Sequence, residues 1–134
     1  MPLARNLFRV LLVLWAGSLW SLAAWVTPTL FYAQSDRHLA GFLAARLFSA
    51  ETYVGLAAAA LAVVLPGRTR MGGVYAAAAL LAVNEWVLKR FMESARMQGS
   101  AGGLSFGAWH GVAAILYLAA CAALLSVVWK ENLR

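Results

Sequence analysis

The stretch GGVYAAAALLAVNEWVLKRFM, residues 72–92, decides how this chain folds. With Met71 before it, its uncharged part ends at Asn84 after 14 residues, about 21 Å of helix, whereas the hydrocarbon core of a bilayer is roughly 30 Å thick. A helix here crosses a membrane only if Glu85 crosses with it. Ionisable residues inside spans are rare and mark ion or substrate pathways by default, so Glu85 is the first candidate functional residue.

Three further apolar segments surround this one. VLLVLWAGSLWSLAAWVTPTLFYA, residues 10–33, has 24 residues without a charge and is long enough to span alone. Arg5 and Arg9 in front of it resemble the start of a signal segment, but the apolar run continues past Ser21-Leu22-Ala23 to Phe31, which favours a retained helix. TYVGLAAAALAVVLPG, residues 52–67, has 16 uncharged residues and must extend backward through Glu51 toward Phe42 to span. The last helix falls within the uncharged run 97–129. The expected architecture is one all-α domain, an integral membrane antiparallel four-helix bundle with helices near 8–33, 42–66, 72–92 and 104–129. A composition that is 63% hydrophobic and 12% charged excludes an ordinary soluble domain.

Four crossings bring both termini to one side. If that side is the cytoplasm of a bacterial inner membrane, it carries Arg5, Arg9, Arg68, Arg70, Lys130 and Arg134 against Arg37, Arg46, Lys89, Arg90 and Arg96 outside. This small excess follows the positive-inside rule. The net charge of +6 comes from residues scattered at helix ends, where lipid headgroups are the partners, and no nucleic-acid motif accompanies it. A single cysteine, Cys121, forms no internal disulfide and reads as packing.

The connections are short. Pro66-Gly67-Arg68-Thr69-Arg70 reads as a basic inner turn, Gln34 to His38 as an outer loop in which Ser35 or Asp36 caps a helix starting near Arg37, and Gln98 to Gly103 as a small flexible loop. Small residues at four-residue spacing, Gly17 with Ser21, Gly55 with Ala59 and Gly107 with Gly111, suit close helix packing inside the chain or between chains. Trp86, Trp109 and Trp129 suit interfacial belts, while Trp15 lies deeper, as a packing residue.

Up-down threading brings polar residues of all four helices to similar depth. Asn84 and Glu85 of the third helix, His110 of the fourth and Thr27-Pro28-Thr29 of the first form a candidate outward-opening pocket for a ligand, an ion or a proton. Lys89 lies one turn beyond Glu85 on the same face and either pairs with it or extends toward the interface. Glu51 either marks the solvated start of the second helix or joins the pocket. Asn84 is suited to an interhelical hydrogen bond, and His110 to a helix contact, proton handling or metal binding. Pro28 kinks or ends the first helix. Met92, Met97, His38 and His110 leave copper or haem binding as a minor reading, without a compact ligand spacing. A nucleophile elbow, a phosphate-binding glycine loop and HExxH are all absent from the sequence, so a membrane hydrolase has little support, and a non-enzymatic role leads while the enzyme question stays open.

The segments WAGSLWSLAAWVTPTLFYAQSDRHLAGFLAARLFSAETY (15–53), NEWVLKRFMESAR (84–96) and FGAWHG (106–111) resemble a bacterial family built on an uncharacterised membrane domain, domain of unknown function 4149. That family looks related to eukaryotic transmembrane protein 205. The resemblance implies a four-helix membrane protein and makes Pro28, Phe31, Asn84, Arg96 and His110 residues of interest. The eukaryotic relative's association with platinum-drug resistance and trafficking suggests transport or metal tolerance. Family members often carry serine and asparagine where this chain has Ala113 and Tyr117, and proline where it has Leu88. The leading expectation is binding, sensing or transport of a small polar solute or ion in the lipid bilayer, as a homo-oligomer or with a partner membrane protein. The competing expectation is a structural or assembly subunit of a larger membrane complex.

Overall fold

The computed structural model describes residues 2–64 and 71–132. It is a bundle of four long helices: α1 (Pro2–Ala33), α2 (Arg37–Val64), α3 (72–98) and α4 (Phe106–Asn132). The basic turn expected at Pro66 to Arg70 lies outside the described residues.

Local chemistry sets the helix ends. Asp36 caps α2, its Oδ1 accepting the backbone N–H of His38 at 2.9 Å and of Leu39 at 3.2 Å. This cap starts α2 at Arg37 and places Glu51 in mid-helix. Ser105 caps α4 by accepting the N–H of Ala108 at 3.2 Å. Between α3 and α4, Ala101 and Leu104 exchange backbone hydrogen bonds at 2.9 and 3.0 Å around Gly102 and Gly103, both at positive φ. The loop closes in a tight left-handed turn, and its glycines serve that geometry.

Two helices contain a widened turn. In α1 the π-helical stretch Leu22–Val26 precedes Pro28, and the N–H of Thr27 reaches back to Leu22 O. A proline ring collides with the carbonyl four residues earlier. The wider turn absorbs that collision, and α1 runs on through Pro28 to Ala33. In α3 the stretch Asn84–Leu88 is π-helical, with Lys89 N–H bonded to Asn84 O. Such turns are often found at functional sites.

The core is built from Leu12, Trp15, Leu19, Val74, Leu81 and Leu124, with alanines and Cys121 between them. Close approach is bought by glycine at two positions. A Cβ on Gly55 would lie 2.6 Å from Trp15 Cζ2, and one on Gly73 would collide with Val127 and with the Ala123 carbonyl oxygen at 2.9 Å. Gly107 and Gly111 behave differently. Gly111 meets nothing within 4 Å and Gly107 only its neighbour Ser105, so their shared face is open.

Large apolar side chains also cover the outside: Leu14, Trp25, Val64, Ile115, Leu125 and Trp129 are all exposed. A lipid solvent accounts for that surface, because α1, α2 and α4 are each long and apolar enough to cross a bilayer. The protein is thus an all-α, multi-pass membrane bundle. Arg9 of α1 pairs with Glu131 of α4 at 3.2 Å, which places the start of the first helix beside the end of the last.

Candidate functional site

Polar residues cluster halfway along the helices. Ser18 is near the midpoint of α1, Ser49 and Glu51 near that of α2, and Glu85 near that of α3. Because each helix is about 40 Å long, these groups are among the furthest in the molecule from either end.

Glu85 is held by two partners. Ser49 Oγ lies 2.9 Å from both of its carboxylate oxygens, and Lys89 Nζ lies 2.9 Å from Oε1. Lys89 also donates to Ser49 Oγ at 3.0 Å. With its lone pairs taken by the ammonium, the serine hydroxyl directs its single proton to the carboxylate or to the Ala45 carbonyl at 3.0 Å. The Glu85 side chain is 16% exposed and that of Lys89 44%. Lysine reaches the acid from the bundle's perimeter with its long stem. Asn84, the neighbour of Glu85 in the π turn, donates from Nδ2 to the Ala113 carbonyl of α4 at 3.0 Å. The carboxylate is thereby fixed between α2 and α3, and the amide between α3 and α4.

Glu51 faces a different seam. Its Oε2 lies 3.1 Å from Ser18 Oγ of α1, and that hydroxyl also lies 2.9 Å from the Trp15 carbonyl. Nearby, Tyr117 of α4 donates its hydroxyl to the Leu19 carbonyl at 2.6 Å, a buried bond joining α4 to α1.

His110 does not join Glu85. It is exposed on α4 and stacks on Phe106, with ring centroids 6.0 Å apart. The Arg96 guanidinium covers Phe106 at 4.8 Å. Phe91 stacks on Trp109 at 4.6 Å, and Trp109 Nε1 donates to the Ala101 carbonyl at 2.8 Å. Arg96, Phe106 and His110 therefore form part of an aromatic cap that ties α3 to α4. Phe31 packs over Gly41, near the α1–α2 connection. Thr29 returns its hydroxyl to the Trp25 carbonyl at 2.7 Å; it lines a groove of about 370 Å³ with Trp25, Leu30, Gln34 and Leu43, apart from both carboxylates. Among the described residues no three of His, Cys, Asp and Glu gather as a metal site would require.

Ser18 and Ser49 were not singled out by sequence. A serine in an apolar helix has little signal of its own, and Ser21 is as good a candidate as Ser18 until the rotation of α1 is known. The structure turns Ser18 toward Glu51 and leaves Ser21 exposed.

Fold and site together define a small polytopic membrane protein with a polar layer at mid-height. Residues 10–101 match the family described as domain of unknown function DUF4149, and the chain belongs to that family. The matched region includes Pro28, Phe31, Glu51, Asn84, Glu85 and Arg96, whereas Gly107, His110 and Gly111 lie beyond it. No curated protein and no solved structure matches the chain.

Proposed function

We propose that α3 crosses the bilayer as a fourth span, and that the polar layer it completes binds a small polar solute or ion for transport or sensing. Both termini then face the cytoplasm of a bacterial inner membrane. The observation that carries this reading is the seating of Glu85 at the midpoint of α3 between Ser49 and Lys89. Acids within membrane bundles are costly and typically mark substrate or ion routes. Lys89 acts as a tethered cation. When a ligand of like charge takes its place on Glu85 and Ser49, its flexible stem lets it withdraw toward the interface. Asn84 holds the π turn in register against α4. The resemblance to transmembrane protein 205 is consistent with a transport role. Four helices enclose little space, so movement across the membrane requires a second copy or a partner protein.

The open Gly107–Gly111 face favours a second reading, a subunit docking α4 against another membrane helix. Thermal unfolding in detergent with added sodium, potassium or ammonium chloride at constant ionic strength separates the two. Binding predicts that one cation raises the unfolding midpoint of the wild type and leaves Glu85→Gln unchanged. Equal responses in both proteins defeat the binding reading.

A further inference from the structure

The two central carboxylates differ in one respect: Glu85 has a countercharge and Glu51 has none. Among the described residues the ion pairs are Arg9–Glu131 and Lys89–Glu85. The hydrogen-bond partner of the Glu51 carboxyl among the described residues is neutral: the Ser18 hydroxyl of α1. Thr52 on its own helix spends its hydroxyl on the Phe48 carbonyl at 3.2 Å. Tyr117 spends its proton on Leu19 O.

Hydrogen-bond arithmetic supplies an independent argument. Ser18 has one hydroxyl proton and two acceptors in range, the Trp15 carbonyl at 2.9 Å and Glu51 Oε2 at 3.1 Å. An ionised Glu51 would compete for that proton and would otherwise face the hydroxyl oxygen lone pair to lone pair. A protonated Glu51 resolves the conflict: Oε2–H donates to Ser18 Oγ, which donates to Trp15 O. Oε2, the Ser18 hydroxyl and the Trp15 carbonyl are then each paired, and no charge is left without a counterion in a low-dielectric medium, where such charges neutralise instead. The Ser49 hydroxyl differs in having a cation beside it: Lys89 donates to it, while its own proton is divided between the Ala45 carbonyl and Glu85.

We propose that Glu51 is a proton-binding site, held as a neutral carboxylic acid by Ser18, while Glu85 stays ionised against Lys89. Two acids at one height thus have separate roles, one carrying a proton and the other a fixed charge. This inference rests on reading the mid-height layer as a binding site, but its test addresses Glu51 alone.

Dicyclohexylcarbodiimide dissolves in lipid and reacts with protonated carboxyl groups. The acid proton passes to a carbodiimide nitrogen, the carboxyl oxygen bonds to the central carbon, and rearrangement leaves a stable N-acylurea. The full chain in lipid nanodiscs at neutral pH, treated and then mapped by mass spectrometry, is expected to carry an adduct on Glu51. Labelling is expected to vanish in Glu51→Gln, persist in Glu85→Gln and be unaffected by sodium chloride. An unlabelled wild type, an adduct on Glu85 instead, or protection by sodium would each overturn the assignment. Because peptide mapping of the wild type decides the outcome, it does not depend on any variant folding. Equal cation responses in wild type and Glu85→Gln, with Glu51 still labelled, would defeat the proposed solute site and leave the proton site standing.

Discussion

Lys89 Nζ lies 2.9 Å from Glu85 Oε1, one turn along the same helix, so the central carboxylate carries its countercharge on its own backbone. The pair lies within one helix, and Ser49 ties it to α2. An acid and its base can enter a membrane together in this way at less cost than either alone.

Removing one partner is expected to hurt more than removing both. Lys89→Met leaves Glu85 uncompensated and should destabilise the bundle by about 1–3 kcal/mol, below the roughly 3–5 kcal/mol of a fully buried pair, because Lys89 is partly exposed. The double variant Lys89→Met with Glu85→Gln should recover most of that loss. A double-mutant cycle of unfolding in detergent checks this, and additive losses would contradict it.

Packing around Trp15 gives a second expectation. A methyl group on Gly55 meets Trp15 Cζ2 at 2.6 Å and Leu81 Cδ1 at 3.3 Å, so Gly55→Ala should cost about 1–3 kcal/mol as overpacking. Trp15→Phe in the Gly55→Ala background removes the clashing atom and should restore part of the loss. Thermal midpoints of the single and double variants provide the comparison.

Tyr117→Phe removes the 2.6 Å bond from α4 to the Leu19 carbonyl while preserving the ring and its edge-on contact with Phe48. Hydrogen bonds between membrane helices contribute about 0.6 kcal/mol on average and up to about 1.7. A loss in the upper part of that range is expected, because the Tyr117 side chain is buried. Chemical unfolding of the two proteins in mixed micelles measures it.

The sequence shows the bundle clearly and the site only partly. Segment lengths and charge breaks suffice for four helices, and the spacing of Glu85 and Lys89 is enough to expect their pairing. Rotation is harder to read. In α4 apolar residues surround the whole helix, so no stripe says which side faces inward, and His110 turns outward beside Phe106. The π turn at Asn84–Leu88 adds a residue to one turn of α3 and breaks the regular period just where the site lies. For Glu51 the sequence leaves two readings open, the solvated start of the second helix or a place in the pocket, because the uncharged run begins only at Thr52. The Asp36 cap, which begins α2 earlier, shows why Glu51 is a mid-helix residue.

The central claim is that Glu85 is carried into the bilayer by a crossing α3. Val83 and Val87 flank it, and both are exposed on the bundle's outer surface, as is Met97 near the helix end. In a Cys121→Ser background, Val83→Cys, Val87→Cys and Met97→Cys can be compared for labelling by a charged, membrane-impermeant maleimide in sealed and in opened vesicles. The account predicts that Met97→Cys reacts from one side while Val83→Cys and Val87→Cys stay unlabelled in both preparations. Labelling of the flanking positions as fast as Met97→Cys would put Glu85 in water and contradict it.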